Sequence, residues 1–157
     1  MTNVYVLEQI DIFEDLTADQ VKLVDEICEE KTYEPREVIF EENELSKEFY
    51  IIMEGEIEIQ VDPDTIGDGT DAYQPSTIAV LRRGQSFGEV AIVDPGVRSA
   101  SAKSGEEGSK LLVIDRAAFI KLLESDYQMG YTVMHNFAAD LALKIRQTNL
   151  LVRQSLM

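Results

Sequence analysis

The spacing of hydrophobic residues divides the chain into three stretches. In residues 1–31 and 116–157 apolar positions recur every three or four residues, as on one face of a helix. In residues 32–115 they form short alternating runs separated by Gly, Pro and Asp, which predict β-strands. We therefore expect one domain over residues 1–157, mainly β, with N-terminal helices, a strand region and C-terminal helices.

Turn residues predict how the strands connect. Gly55 lies between two alternating runs and predicts a hairpin, and a second hairpin loop is expected over 104–109, where two glycines occur. The Asp-, Gly- and Pro-rich stretch 62–76 is expected to be a long loop. Its four aspartates lack EF-hand spacing, so calcium binding is the minor alternative there. Many short strands with regular turns predict a jelly-roll-like β-roll.

Capping residues predict where the helices begin. Thr17 followed by Gln20 is the pattern of a capping box, for a helix that reaches about Glu30. Asp115 precedes an apolar run over 117–124 and is expected to cap a helix there.

A longer helix is expected over 127–156, with a break near Gly130. Its apolar positions alternate by four and three residues, which is a heptad seam. The members of this seam are Met134, Ala138, Leu141, Ile145, Thr148, Val152 and Ser155. The face could pack only on the strand region of its own chain, but a helix this long favours a parallel homodimer.

Composition excludes several function classes. A formal net charge of −16 disfavours nucleic acid and anionic membrane surfaces as direct partners. Cys28 is the only cysteine and His135 the only histidine, so a Cys/His metal cluster and the usual Ser-His or Cys-His catalytic pair are excluded. We expect no enzymatic activity, no metal and no cofactor. With no signal peptide and no apolar run of membrane-spanning length, we expect a cytoplasmic protein.

The stretch 87–102, FGEVAIVDPGVRSASA, holds the candidate binding chemistry. Gly88 permits positive φ and close approach of a ligand, and a helix that starts after it would expose N–H groups to an anion. Arg98 supplies a planar cation for a phosphate, Ser99 a hydroxyl donor, and Glu89 an acceptor for a sugar hydroxyl. The alternative is that Glu89 and Arg98 merely pair with each other on the surface.

Residues 87–91, FGEVA, followed by 97–100, VRSA, resemble the phosphate-binding cassette of the cyclic nucleotide-binding domain family. The resemblance extends from about residue 7 to 152 and implies the family's β-roll. One departure is that Gly96 and Val97 follow Pro95, where kinase members often place proline directly before the arginine. Carried onto this chain, the cassette implies ligand contacts from Gly88, Glu89, Val90, Ala91, Arg98 and Ser99.

The resemblance also implies contacts to the base. Residues 139–152, ADLALKIRQTNLLV, resemble the dimer helix of bacterial members, in which a threonine at the position of Thr148 contacts the adenine amino group. Asn149 stands where the partner chain of those members supplies a serine. Three apolar residues match positions that line the base in the family, and they could equally be core of the strand region: Ile59, Ile78 and Ala79.

These features predict a stand-alone cyclic nucleotide sensor whose ligand is cAMP, with cGMP as the alternative. Because this sequence ends at Met157, we expect no DNA-binding helix-turn-helix within it, and the output is either an effector protein or a part of the protein beyond this sequence. The rival interpretation is a structural or interaction module of the same fold that binds no nucleotide. A cupin-like metalloenzyme would need several histidines.

Overall fold

The computed structural model describes residues 3–62 and 76–156. The chain divides into two compact units, one over Ile27–Ile120 that holds the strands and one formed by Met1–Glu26 with Lys121–Met157 that holds most of the helical residues. The predicted loop over 62–76, with all but one of its aspartates, lies outside the described residues. The expectation of a single domain stays a prediction.

The sheet unit contains six antiparallel strands in the described part of the chain. They are β1 Cys28–Tyr33, β2 Val38–Phe40, β3 Glu48–Val61, β4 Ser76–Leu81, β5 Ser86–Phe87 and β6 Ser101–Asp115. The sheet order is β1-β6-β3-β4, with β2 paired to β6 and β5 paired to β3. Buried apolar side chains from four of these strands form one core cluster: Phe40, Tyr50, Ile52, Ile57, Phe87, Ala102, Leu111 and Val113.

The two predicted hairpins are wrong, because β3 and β6 each run through the glycines that suggested a turn. Gly55 lies inside β3 with φ +85°, and a Cβ there would meet the Gly108 carbonyl oxygen at 2.3 Å. Between the pairs Gly55–Ser109 and Ile57–Ser104, β6 has four residues where β3 has one. The glycines therefore mark a large bulge that bends the two strands without ending either of them.

The predicted N-terminal capping box is confirmed, but the helix is shorter than predicted. Helix α2, Ala18–Ile27, follows the short helix α1, Val4–Leu7, and a single 3₁₀ turn over Asp11–Phe13. Gln20 N donates to Thr17 Oγ1 at 3.2 Å, and Thr17 N donates to Gln20 Oε1 at 2.9 Å. The helix stops before Glu30 because Cys28 already pairs with Ile114 in the sheet.

The C-terminal helices are α3, Arg116–Ser125, and α4, Tyr127–Ser155. Asp115 caps α3 as predicted, since its Oδ2 accepts from Ala118 N at 2.9 Å. The break predicted near Gly130 is wrong, because α4 is continuous there. A Cβ at Gly130 would lie 3.0 Å from the Leu123 carbonyl oxygen, so this glycine permits close helix packing instead.

Only the first half of α4 is packed within the helix unit. Met129, Val133 and Phe137, spaced by four residues, are buried there. Asn136 Nδ2 donates to the Ile12 and Glu14 carbonyl oxygens at 3.3 and 2.7 Å. Every residue of the helix from 142 onward is exposed.

Candidate ligand-binding site

The backbone of the predicted cassette has the conformation that its glycine suggested. Gly88 adopts φ +75° and precedes a 3₁₀ helix over Glu89–Ile92. The side chain of Glu89 is buried, Ala91 is also buried, and Val90 is half exposed. A Cβ at position 88 would lie 2.9 Å from Arg98 Nη1, so glycine is required both by the positive φ and by the arginine that passes beside it.

Arg98 is buried inside the sheet unit, with 6% of its surface exposed. Its Nη1 donates to the Gly88 carbonyl oxygen at 3.3 Å and its Nη2 to the Glu48 carbonyl oxygen at 2.5 Å. Its Nε is buried and has no hydrogen-bond partner among the described residues. Because Glu89 is 5% exposed as well, the alternative of a surface pair between these two residues does not describe them.

The charge of Arg98 is not neutralised by a carboxylate. Among the described residues no Asp or Glu forms an ion pair with its guanidinium. Burial lowers the pKa of Arg98, while Tyr50 and the carboxylates of Glu48 and Glu44 act in the opposite direction. A buried cation with only neutral partners is unfavourable by itself and creates a strong local preference for an anion.

The main chain around Arg98 is held by the segment that connects β2 to β3. Asn43 N donates to the Arg98 carbonyl oxygen at 2.8 Å, and Arg98 N donates to the Glu44 carbonyl oxygen at 2.7 Å. Leu45 and Val97 form an isolated antiparallel bridge next to these bonds. The arginine is therefore fixed at its backbone as well as at its side chain.

Three aromatic rings pack together beside the buried guanidinium of Arg98. The ring planes of Tyr50 and Phe87 are stacked at 4.9 Å, and Phe40 lies 5.7 Å from Tyr50 and 6.1 Å from Phe87. Tyr50 OH donates to Glu48 Oε1 at 2.8 Å, and burial raises the pKa of Tyr50. We call Phe40, Tyr50 and Phe87 the aromatic cluster.

A cavity of about 330 Å³ adjoins the aromatic cluster and Arg98. Its walls are formed by Ile39, Phe40, Glu44, Leu45, Lys47, Glu48, Tyr50 and Arg98. Among the residues predicted to bind a ligand, Arg98 alone lines this cavity.

Comparison with known proteins decides the family. The sequence model described as "Cyclic nucleotide-binding domain" matches residues 30–126, which is more than half of the chain. The chain belongs to the cyclic nucleotide-binding domain family. It is a cyclic nucleotide-binding regulatory domain, and the predicted mainly β architecture with flanking helices and a long C-terminal helix is confirmed.

Relatives of this chain include both kinases and bacterial regulators. cGMP-dependent protein kinase 2 of Homo sapiens is 29% identical over 113 residues, which cover 72% of this chain and 14% of the kinase. Cyclic AMP receptor protein of Thermus thermophilus is 29% identical over 139 residues, which cover 88% of this chain and 59% of that protein. The crystal structure of Thermus thermophilus Catabolite Activator Protein has a TM-score of 0.74 and 27% identity, and the match covers 91% of this chain and 62% of that one.

The apolar residues predicted to line the base of a cyclic nucleotide lie on the paired strands β3 and β4. Ile59 on β3 lies directly opposite Ala79 on β4, so these two side chains are on the same face. Ile78 precedes Ala79 in β4, has no partner in β3 because the register shifts there, and is 61% exposed. Ser99 is exposed in the cassette, after Arg98.

Thr148 and Asn149 belong to the helix unit, on the exposed part of α4. Thr148 Oγ1 donates to the Lys144 carbonyl oxygen at 2.9 Å, which leaves its lone pairs available as acceptors. Their contacts to a base, and the heptad seam around them, stay predictions.

Sequence reasoning missed Arg116, which joins the cassette to the start of α3. Its Nε donates to the Ala91 carbonyl oxygen at 2.6 Å, and its backbone N donates to the Lys47 carbonyl oxygen at 2.9 Å. It also missed the aromatic cluster and the Glu48 carbonyl, since nothing local to these positions marks them as neighbours of Arg98.

The described residues also bear on metal binding and on membrane insertion. Among residues 3–62 and 76–156 no group of three or more His, Cys, Asp or Glu side chains could hold a metal ion. In the same ranges none of the helices combines the length and apolarity needed to cross a membrane.

Proposed function

We propose that this domain is a cAMP sensor in which Arg98 binds the cyclic phosphate. The observation that carries the proposal is the buried guanidinium, which within residues 3–62 and 76–156 has no carboxylate ion pair and no hydrogen-bond partner for its Nε. A cyclic phosphodiester carries one negative charge and two free oxygens, which suit one guanidinium edge. Such a ligand would neutralise the site without adding excess negative charge to a very acidic protein.

The other cassette residues have matching roles in the proposal. The N–H groups at the start of the 3₁₀ helix over Glu89–Ile92 and the Ser99 hydroxyl add donors to the phosphate. Glu89 accepts from the ribose 2′-OH, since a carboxylate would repel the phosphate. Ile59 and Ala79, which share a face, offer an apolar surface to the base.

Adenine rather than guanine is proposed because of Thr148 and Asn149. Adenine carries an exocyclic amino donor where guanine carries a carbonyl acceptor, and both side chains can accept from an amino group. One such contact is worth about 1 kcal/mol, so the preference over cGMP should be modest.

The signal is proposed to leave through a protein partner and through a homodimer of α4. Residues 142–156 are all exposed, and they include Leu143, Ile145, Leu150, Leu151, Val152 and Leu156. A helix with this many unpacked apolar side chains is stabilised by a partner surface, and a second copy presents the same heptad seam. The net charge of −16 favours a protein over nucleic acid as the effector, and a cytoplasmic location fits the proposal.

The rival, an interaction module that binds no nucleotide, gives no reason for the buried charge. An unpaired buried cation costs several kcal/mol, and a module without a ligand would gain stability from an apolar residue at position 98.

Calorimetric titration of the protein with cAMP, cGMP and cyclic di-GMP tests the proposal. We expect one site per chain, with cAMP bound up to about tenfold more tightly than cGMP. Tighter binding of cGMP would overturn the adenine assignment, and no binding of any of the three would overturn the sensor.

A further inference from the structure

Among the described residues the hydrogen-bond partners of Arg98 are backbone carbonyls, and an aromatic ring lies against its guanidinium. Arg98 Cζ lies 4.1 Å from the centre of the Phe40 ring, within the range of a cation–π contact. The Gly88 and Glu48 carbonyl oxygens hold its two terminal nitrogens. Tyr50 is farther away, with its ring centre 5.8 Å from Cζ.

The fold brings Phe40 to the guanidinium through strand register. Phe40 pairs with Ala102 at the start of β6, four positions after Arg98. The ring is 8% exposed and is supported by the other two members of the aromatic cluster, so it cannot move away from the guanidinium without disturbing the core. The guanidinium plane is thus fixed by a ring on its face and by carbonyls on its edge.

The uncharged groups around Arg98 affect phosphate binding differently from a neighbouring carboxylate. A carboxylate next to Arg98 would neutralise it, and a phosphate would have to compete with that ion pair. The quadrupole of a ring attracts the cation and leaves its full charge available. We infer that Phe40 is a positioning residue for the ligand, whose ring holds the Arg98 guanidinium buried and oriented for a phosphate without neutralising it.

The inference rests on the proposed function and is tested by affinity for cAMP. Phe40→Leu removes the ring but keeps an apolar side chain. Without the ring, the Arg98 side chain can turn toward water. Ligand binding then has to bury the guanidinium again, which lowers the affinity. We expect the affinity to fall roughly 3- to 30-fold, and Phe40→Tyr to stay within about threefold of the wild type. The cavity beside Phe40 leaves room for the added hydroxyl.

Phe49→Leu is the matched control. Phe49 is fully buried in β3 and packs edge to face on Phe119 at 5.1 Å, so the same substitution there weakens the core without touching Arg98. We expect its affinity for cAMP to stay within about twofold of the wild type.

A second measurement needs no ligand. The Nε–H signal of Arg98 in a ¹⁵N NMR spectrum, assigned by its loss in Arg98→Lys, should be displaced by the ring current of Phe40. We expect that displacement to disappear in Phe40→Leu and to persist in Phe49→Leu.

The outcomes separate the inference from the proposed function. If the wild type binds cAMP but Phe40→Leu binds equally well and leaves the Nε–H signal unchanged, the positioning role is overturned. An equal loss in Phe49→Leu would also overturn it, since the effect would then be general destabilisation. If the ring current is present and no cyclic nucleotide binds, the proposed function fails, and Phe40 orients a cation for some other purpose.

Discussion

Replacing Arg98 with methionine is the most direct perturbation of the proposed site. Methionine is unbranched and apolar and can occupy the space beside the Phe40 ring, but it carries no charge and no donor. The substitution therefore removes the phosphate partner while leaving the sheet unit filled. Arg98→Lys keeps the charge, but a single ammonium cannot reproduce the fork that reaches both carbonyl oxygens.

The expected loss of affinity in Arg98→Met follows from the burial of Arg98. A buried charged contact to a ligand is worth about 2–5 kcal/mol, because its loss leaves the phosphate unpaired. At about 1.4 kcal/mol per factor of ten, the affinity for cAMP should fall roughly 30- to 4000-fold in Arg98→Met. Arg98→Lys should lie between this variant and the wild type.

Stability should change much less than affinity. Removing Arg98 leaves the Gly88 and Glu48 carbonyl oxygens without these donors, which costs about 1–3 kcal/mol for each group that water does not reach. The same change relieves the desolvation of a buried cation that has no ion pair, which acts in the opposite direction. We therefore expect Arg98→Met to fold.

Calorimetry and thermal unfolding with and without cAMP measure these effects. At 100 times Kd, cAMP should stabilise the wild type by about 2.7 kcal/mol, and it should leave Arg98→Met unchanged. Arg82→Met is the matched control, since Arg82 is 70% exposed, pairs only with Glu56 among the described carboxylates at 3.2 Å, and loses the same charge. A folded Arg98→Met that binds cAMP within about threefold of the wild type would refute the reasoning.

Four further outcomes are expected. Glu89→Gln should weaken cAMP more than 2′-deoxy-cAMP in calorimetric titrations, and equal losses would remove the sugar assignment. Thr148→Val should narrow the gap between cAMP and cGMP by up to about fivefold, mainly by weakening cAMP, and an unchanged gap in competition assays would rule this contact out. Ile145→Asp should give monomers in sedimentation, whereas a monomeric wild type at high concentration would exclude the heptad seam. The hydrogen bond from Gln20 lowers the pKa of Asp126, so the contribution of Asp126 to stability is present above its unfolded pKa and is lost as the pH falls through its lower native pKa. In denaturant unfolding from pH 6 to pH 2.5, the wild type should lose the advantage it has over Asp126→Asn below about pH 4, and a constant difference would contradict this.

Helix caps and backbone conformation could be predicted wherever they depend only on residues close together in the sequence. The Thr17–Gln20 capping box, the Asp115 cap and the positive φ of Gly88 each depend on residues within a few positions of one another. The sequence of the cassette likewise identifies its family, because a glycine, a carboxylate and an arginine at this spacing are needed together by one ligand.

Glycines were misleading inside the long strands. In a local pattern, glycine between two alternating runs predicts a turn. At Gly55 it instead lets the strand pass so close to the Gly108 carbonyl oxygen that a Cβ would collide with it, and Gly108 is more than fifty positions away. Whether such a glycine ends a strand or bends it depends on that partner.

The sequence alone identified the residue that we propose to bind the phosphate, and tertiary structure decided how the charge of that residue is held. Arg98 meets the Glu48 carbonyl across 50 positions and the Phe40 ring across a strand pairing. Every residue has a backbone carbonyl, so the sequence does not indicate which carbonyl binds Arg98. The sequence also does not distinguish an aromatic residue that only fills the core from one that contacts a cation. Only the register of β2 on β6 and the path of the segment before β3 bring these neutral groups around one guanidinium, which forms no ion pair with any described carboxylate.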